Sequence, residues 1–101
     1  MIDTAMLRLV GPMGAVDLTG TELRILARLA SCPLTVVSVC DLIDAAWPGV
    51  SAPITLDGAL RVHIARLRDK LEAVGLSRES LGNRPHLGYY LEVQLDIVTP
   101  S

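Results

Sequence analysis

The run from residue 56 to 74 constrains the fold more than any other part of this chain, because both of its faces can be read. Leu56, Leu60, Ile64, Leu67, Leu71 and Val74 recur at steps of four, four, three, four and three. That spacing is one apolar stripe of a helix with 3.6 residues per turn. At about 100° per residue, the opposite face centres on Gly58, Val62, Ala65 and Asp69, with Arg61 and Arg66 at its edges. A solvated face is usually covered by Lys and Glu. Small and β-branched side chains flanked by arginines instead suit close approach to a partner. The major groove of DNA is one such partner, since arginine pairs with guanine and a valine methyl packs on thymine. An ordinary helix surface with one stray valine fits the helix taken alone equally well.

A length of 101 residues suits one small domain with a single core, spanning 1–101. Half of the residues are hydrophobic and none is Phe, so the core must rest on Leu, Val, Ile and Ala beside Trp47, Tyr89 and Tyr90. The net charge of −2 argues against a polyanion-binding protein, but its distribution says more. Residues 1–60 carry three basic and six acidic side chains, residues 61–84 carry six and three, and residues 85–101 carry none and two. The positive charge therefore collects in the long helix and the segment after it. That asymmetry can steer a polyanion to one face, with modest non-specific affinity because few phosphates are neutralised.

Cys32 and Cys40 are the only cysteines. Without a framework of four or more, or a zinc-like cluster, they read as free thiols in a reducing cytoplasm. The start Met1-Ile2-Asp3 lacks a basic leader, and no apolar run approaches a membrane span. A cytoplasmic protein with no membrane partner is expected.

Residues 5–10 and 15–18 are extended in character, and Gly11-Pro12-Met13-Gly14 between them has the composition of a turn. Thr19-Gly20-Thr21-Glu22 has the form of a capping box, ahead of a helix with a stripe of Leu23, Leu26, Ala27 and Ala30. After extended Val36 and Val37, Ser38-Val39-Cys40-Asp41 offers a second cap. A short helix follows, with Leu42, Ile43, Ala46 and Trp47 for packing, stopped by Pro48-Gly49. A Pro/Ser-rich loop runs to about Ile54, and the long helix ends near Gly75. Residues 76–84 read as loop and 87–98 as strongly extended, compatible with one arm of a hairpin.

No enzymatic constellation is visible. His63 and His86 have no Cys or acidic pair at ligand spacing, so neither a metal nor another cofactor is expected. Gly11-Pro12-Met13-Gly14 lacks the Gly-Lys-Ser/Thr end of a phosphate loop.

Leu18-Thr19-Gly20-Thr21-Glu22-Leu23-Arg24-Ile25-Leu26, then Val36-Val37-Ser38 with Leu42-Ile43 and Trp47, and above all Val62-His63-Ile64-Ala65-Arg66-Leu67-Arg68-Asp69-Lys70-Leu71 together resemble the C-terminal DNA-binding domain of OmpR/PhoB-type response regulators. Gly88-Tyr89 stands where that family's wing ends. The resemblance spans about residues 18–92. It implies an α+β winged helix-turn-helix: N-terminal antiparallel strands (1–18), three helices (19–75) and a C-terminal β-hairpin wing (80–98). The function it implies is that of a bacterial sequence-specific transcription regulator bound to double-stranded DNA. Val62 and Arg66 would face bases or nearby phosphates, Arg68 and His63 the backbone, and Tyr89 would lie at the wing. Lys70, within the same signature, and Arg84, the wing's formal positive charge, join the DNA-binding set. Arg61 stands where the family usually has an acidic residue, so its place in that set rests on the helix geometry.

The chain departs from the family at Gly58-Ala59, where Arg-Thr is common, and at Pro85-His86-Leu87, where a basic residue and glycine usually precede Gly-Tyr. No receiver domain is visible in the sequence, which suggests regulation through a partner or through abundance. The competing expectation is a winged helix reused for protein contact, docking on another regulator or on RNA polymerase. A homodimer through the N-terminal strands is a further expectation, because residues 5–10 are apolar at both parities except at Arg8.

Overall fold

An aspartate three residues into the chain decides how the N-terminal segment folds. The computed structural model describes residues 1–49 and 56–98. In it Asp3 Oδ1 accepts hydrogen bonds from the N–H groups of Ala5 and Met6, at 3.0 and 3.1 Å. Such side-chain bonding turns a chain that hydrophobicity alone would extend. Residues 4–7 are accordingly a turn, not the start of a strand, and Met6 and Leu7 are exposed on it. The turn lets Ile2–Asp3 (β1) fold back antiparallel beside Arg8–Gly11 (β2). The expected hairpin follows, β2 pairing antiparallel with Gly14–Asp17 (β3) so that Arg8 faces Asp17 and Gly11 faces Gly14. Register puts Ile2, Leu9 and Val16 in one row, and that row faces the helices, with Ile2 and Leu9 fully buried.

Three helices follow, the third of which packs on β2 and β3. The first, Gly20–Ala30 (α1), begins with the capping box read from the sequence: Thr19 Oγ1 accepts from the Glu22 N–H, and Glu22 Oε1 accepts from the Thr19 N–H. Its buried apolar face is Ile25, Leu26, Leu29 and Ala30, whereas Leu23 and Ala27 of the expected stripe are half-buried. The shift arises because α1 is packed by elements on two sides, so its apolar sector is wider than a single stripe. After the short strand Val37–Ser38 (β4), the Ser38 hydroxyl accepts from the Asp41 N–H and starts Val39–Ala46 (α2), which buries Leu42, Ile43 and Ala46. The third helix, Asp57–Ala73 (α3), buries Leu60, Ile64, Leu67 and Leu71 as its periodicity requires. It ends at Gly75, whose φ of +90° is unfavourable for residues with a side chain. The expected loop up to Ile54 lies largely outside the described residues.

The C-terminal third departs from the sequence reading in two ways. A 3₁₀ turn, Arg78–Ser80, leads into Leu81–Arg84 (β5), which pairs antiparallel with Gly88–Leu91 (β6). Residues 81–84, loop-like by composition, are therefore a strand, within the hairpin region (80–98) that the resemblance implied. Gly82 and Asn83 have little intrinsic β preference, and the strand exists because β6, itself paired with β4 on its other side, pairs with it in the hairpin. The wing sheet has the order β4–β6–β5. Secondly, the hairpin ends at Leu91, and Ile97–Val98 (β7) crosses to the other sheet to pair parallel with β1, giving the order β3–β2–β1–β7. The extended run from 87 to 98 thus serves two sheets. Leu91 and Leu95 stay buried with Val93 half-buried between them. The alternation encoded which side faces the core, not which strand would be the partner.

Candidate nucleic-acid interface

Because α3 buries one stripe, its outward face is fixed. Arg61, Val62, Ala65 and Arg66 are all exposed there, Val62 by 49%. Val62 and Arg66, four residues apart, sit one above the other. Arg66 makes no ion pair among the described residues. Asp57, in the first turn, pairs with Arg61 at 3.2 Å and steadies it against the helix.

Arg61 and Arg68 lean toward the wing. Together with the first turn of α2 and the wing residues Arg84, His86 and Leu87, they line an open concavity of ≈ 950 Å³. Arg68 Nε donates to the Leu81 carbonyl at 3.0 Å, tying α3 to β5 while the side chain borders the concavity. The Arg84 guanidinium lies 5.9 Å from the centroid of the Tyr90 ring, a cation–π contact that props it at the wing edge. One concavity therefore joins Arg61 and Arg68 of α3 to Arg84 of the wing, while Arg66 stands at the other edge of the outward face.

The remaining expected residues lie elsewhere. His63 is half-buried on the other flank of α3, its ring centroid 5.6 Å from that of Trp47. Its Nδ1 has no hydrogen-bond partner among the described residues. Tyr89 is only 7% exposed and belongs to the core, fixing the root of the wing. Lys70 turns inward: its Nζ donates to Glu22 Oε1 at 2.7 Å and to the Asp17 carbonyl at 2.8 Å. Glu22 is 1% exposed. Burial alone would raise its pKa, but the Lys70 bond, the Thr19 N–H and the Lys70 charge together hold it below the usual carboxylate range. The expected DNA contact at Lys70 is thus occupied by a structural clamp, because position 70 lies on the flank of α3 facing α1.

Arg78 was not singled out from the sequence. Its Nη1 lies 2.7 Å from Asp69 Oδ1 and 3.7 Å from Glu72 Oε2. It therefore neutralises acidic charge that the outer side of α3 would otherwise present. Nine residues separate Arg78 from Asp69, and only the fold-back after Gly75 brings them together. The Asp57–Arg61 pair, by contrast, was legible as an i,i+4 spacing. Among the described residues no group of three or more His, Cys, Asp or Glu side chains could hold a metal ion, and no helix is long and apolar enough to cross a membrane.

An N-terminal sheet, three helices whose third presents an exposed Arg/Val face, and a hairpin beside it define a winged helix-turn-helix. Residues 13–91 match the family described as "Transcriptional regulatory protein, C terminal", and the chain belongs to it. Among solved structures it is similar to the DNA-binding domain of the response regulator AdeR in complex with an intercistronic region. The TM-score is 0.76 at 26% identity, covering 91% of this chain and 92% of that one. It is also similar to the DNA-binding domain of E. coli CadC, with a TM-score of 0.62 and 18% identity over 86% and 79% of the two chains, a likeness of fold. No curated protein matches the chain.

Proposed function

We propose that this chain is a sequence-specific DNA-binding transcription regulator that lays the outer face of α3 in the major groove. The observation that carries the reading is the exposed Val62–Arg66 pair on the outward face of α3, beside the concavity that Arg61, Arg68 and Arg84 line. AdeR's domain was solved on DNA, and its similarity over nearly the whole of both chains supports the same partner here. In this reading Arg66 and Val62 contact base edges, and Arg61, Arg68 and Arg84 contact phosphates. His63 lies near the backbone, Tyr89 holds the wing in place, and Lys70 holds α3. The free thiols Cys32 and Cys40 suit a protein working in a reducing cytoplasm.

Selection of bound sequences from random duplexes gives the test. Wild type should enrich a defined motif, and Arg66→Ala should cost about 1–3 kcal/mol at that motif while flattening preference at one position. Equal loss on the motif and on random duplex would make Arg66 a phosphate contact only. Failure to enrich any motif would remove the base-reading role altogether.

A further inference from the structure

The outward face of α3 offers a base pair very little to hydrogen-bond with. Between Asp57 and Ala73 the helix carries no Asn, Gln, Ser or Thr, the residues that read adenine or serve any base. Its carboxylates, which could accept from the N4 amino group of cytosine, are engaged elsewhere. Asp57 pairs with Arg61 at 3.2 Å, and the Arg78 guanidinium lies 2.7 Å from Asp69 and 3.7 Å from Glu72. What faces outward besides Arg61 is Arg66, without an ion pair among the described residues, and the hydrocarbon of Val62 and Ala65. Val62 is the larger of these two and is 49% exposed. Space beside it is open, since a Cβ added at Gly58, one turn earlier, would meet nothing within 4 Å.

A valine within a helix is held almost entirely in one χ1 rotamer, so its two methyls are in place at little cost in side-chain entropy. Such a group can sense the methyl at C5 of a pyrimidine, which projects into the major groove. It has no donor or acceptor with which to sense the C4 substituent, an acceptor in thymine and a donor in cytosine. We propose that Val62 reads the C5 methyl group and not the base that bears it. 5-Methylcytosine then stands in for thymine at that position, and methylation of cytosine turns a weaker site into a stronger one. The proposal rests on the DNA-binding reading above and deepens it by adding a modified base to what the same helix face recognises. Loss of the methyl, in uracil or in cytosine, leaves the valine without its partner atoms. Burial of one such carbon corresponds to roughly a three- to fivefold change in affinity. Val62 and Arg66 are four residues apart on α3, about 6 Å along its axis or roughly two base-pair steps. The methyl-sensitive pyrimidine therefore belongs within about one to three pairs of the guanine that suits Arg66.

Uracil and 5-methylcytosine give a direct test, since each differs from thymine or cytosine only in the C5 substituent. In the duplex selected by the wild-type protein, each thymine is replaced in turn by uracil, still paired with adenine, and affinity is measured by fluorescence anisotropy. Where uracil weakens binding, the pair is changed to C·G and to 5-methylcytosine·G. Wild type should lose roughly three- to fivefold from thymine to uracil at a position near the Arg66 contact, and regain a similar factor there from cytosine to 5-methylcytosine. Val62→Ala should bring both ratios toward one while the guanine preference survives. Arg66→Ala should do the reverse, losing the guanine preference and keeping both ratios. The proposal is overturned if no thymine of the motif is sensitive to uracil, if methylation leaves affinity unchanged where uracil weakens it, or if Val62→Ala keeps either ratio. Any of these results, with a motif still selected and its guanine still dependent on Arg66, would remove the methyl reading and leave the DNA-binding reading standing. Failure to select any motif would remove both.

Discussion

Glu22 acts well beyond the helix that it caps. One of its oxygens accepts both the Thr19 N–H at the start of α1 and the Lys70 ammonium from α3, and Lys70 also reaches the last residue of β3. Three elements are thus pinned at one buried carboxylate. Removing one partner of such a pair leaves the other charge uncompensated, so Lys70→Met should lower folding stability by on the order of 3 kcal/mol. The pH dependence follows from the depressed pKa of Glu22. A carboxyl held below its unfolded value stabilises fully above that unfolded value and loses the contribution as pH falls through the folded one. Urea unfolding of the two proteins should therefore differ most at neutral pH and converge as pH falls below the ordinary carboxylate range. A direct phosphate contact at Lys70 would show the opposite pattern, with stability unchanged and DNA affinity reduced.

At the scale of elements, α3 and the wing are positioned by contacts that take no part in reading bases. The Arg78 side chain, from the 3₁₀ turn, covers Asp69 and Glu72. Arg78→Ala should unmask two carboxylates along α3 and weaken DNA binding several-fold at low salt, with wild type and variant converging as salt rises. Should the variant bind like wild type at low salt, the acidic end of α3 lies clear of the duplex. Gly88 is the corresponding point on the wing, because only a residue without a Cβ lets β6 approach β4 at Val37. Gly88→Ala should destabilise the protein by roughly 1–3 kcal/mol, read as a lower midpoint of thermal unfolding. Exchange of the amide hydrogens of β4 and β6 should quicken more than that of β2 and β3.

For the whole molecule, the net charge of −2 and the cationic surface are reconciled by how the charges are placed. Arg8 pairs with Asp17 on the N-terminal sheet, Lys70 with Glu22 inside, and Arg78 with Asp69 and Glu72. Arg24 and Arg28 lie on α1. Arg66, Arg68 and Arg84 make no ion pair among the described residues and, with Arg61, which Asp57 offsets, lie along α3 and the wing. If they meet about four phosphates, the logarithm of affinity should fall against the logarithm of salt concentration with a slope of roughly −3 to −4. Arg84→Ala should reduce that slope by about one unit and weaken all sequences alike. A slope near zero, measured by anisotropy across a salt series, would favour an apolar protein partner over DNA.

The sequence by itself determined what is local. The 3.6-residue period fixed α3 and which of its faces is outward, Thr-x-x-Glu fixed the start of α1, and the turn at residues 11–14 fixed the first hairpin. In each case the information lies within a turn or two of chain, where covalent geometry and side-chain capping decide the outcome. The face carrying Arg61, Val62 and Arg66 was legible for the same reason. What only the tertiary structure decided is who meets whom. Lys70 belongs to a buried carboxylate 48 residues away, Tyr89 to the core, Arg78 to Asp69, and Ile97–Val98 to the N-terminal strand instead of the wing. Periodicity states that a residue faces inward or outward, but the identity of its partner depends on chain reversals at Gly75 and after Leu91 that carry no period of their own.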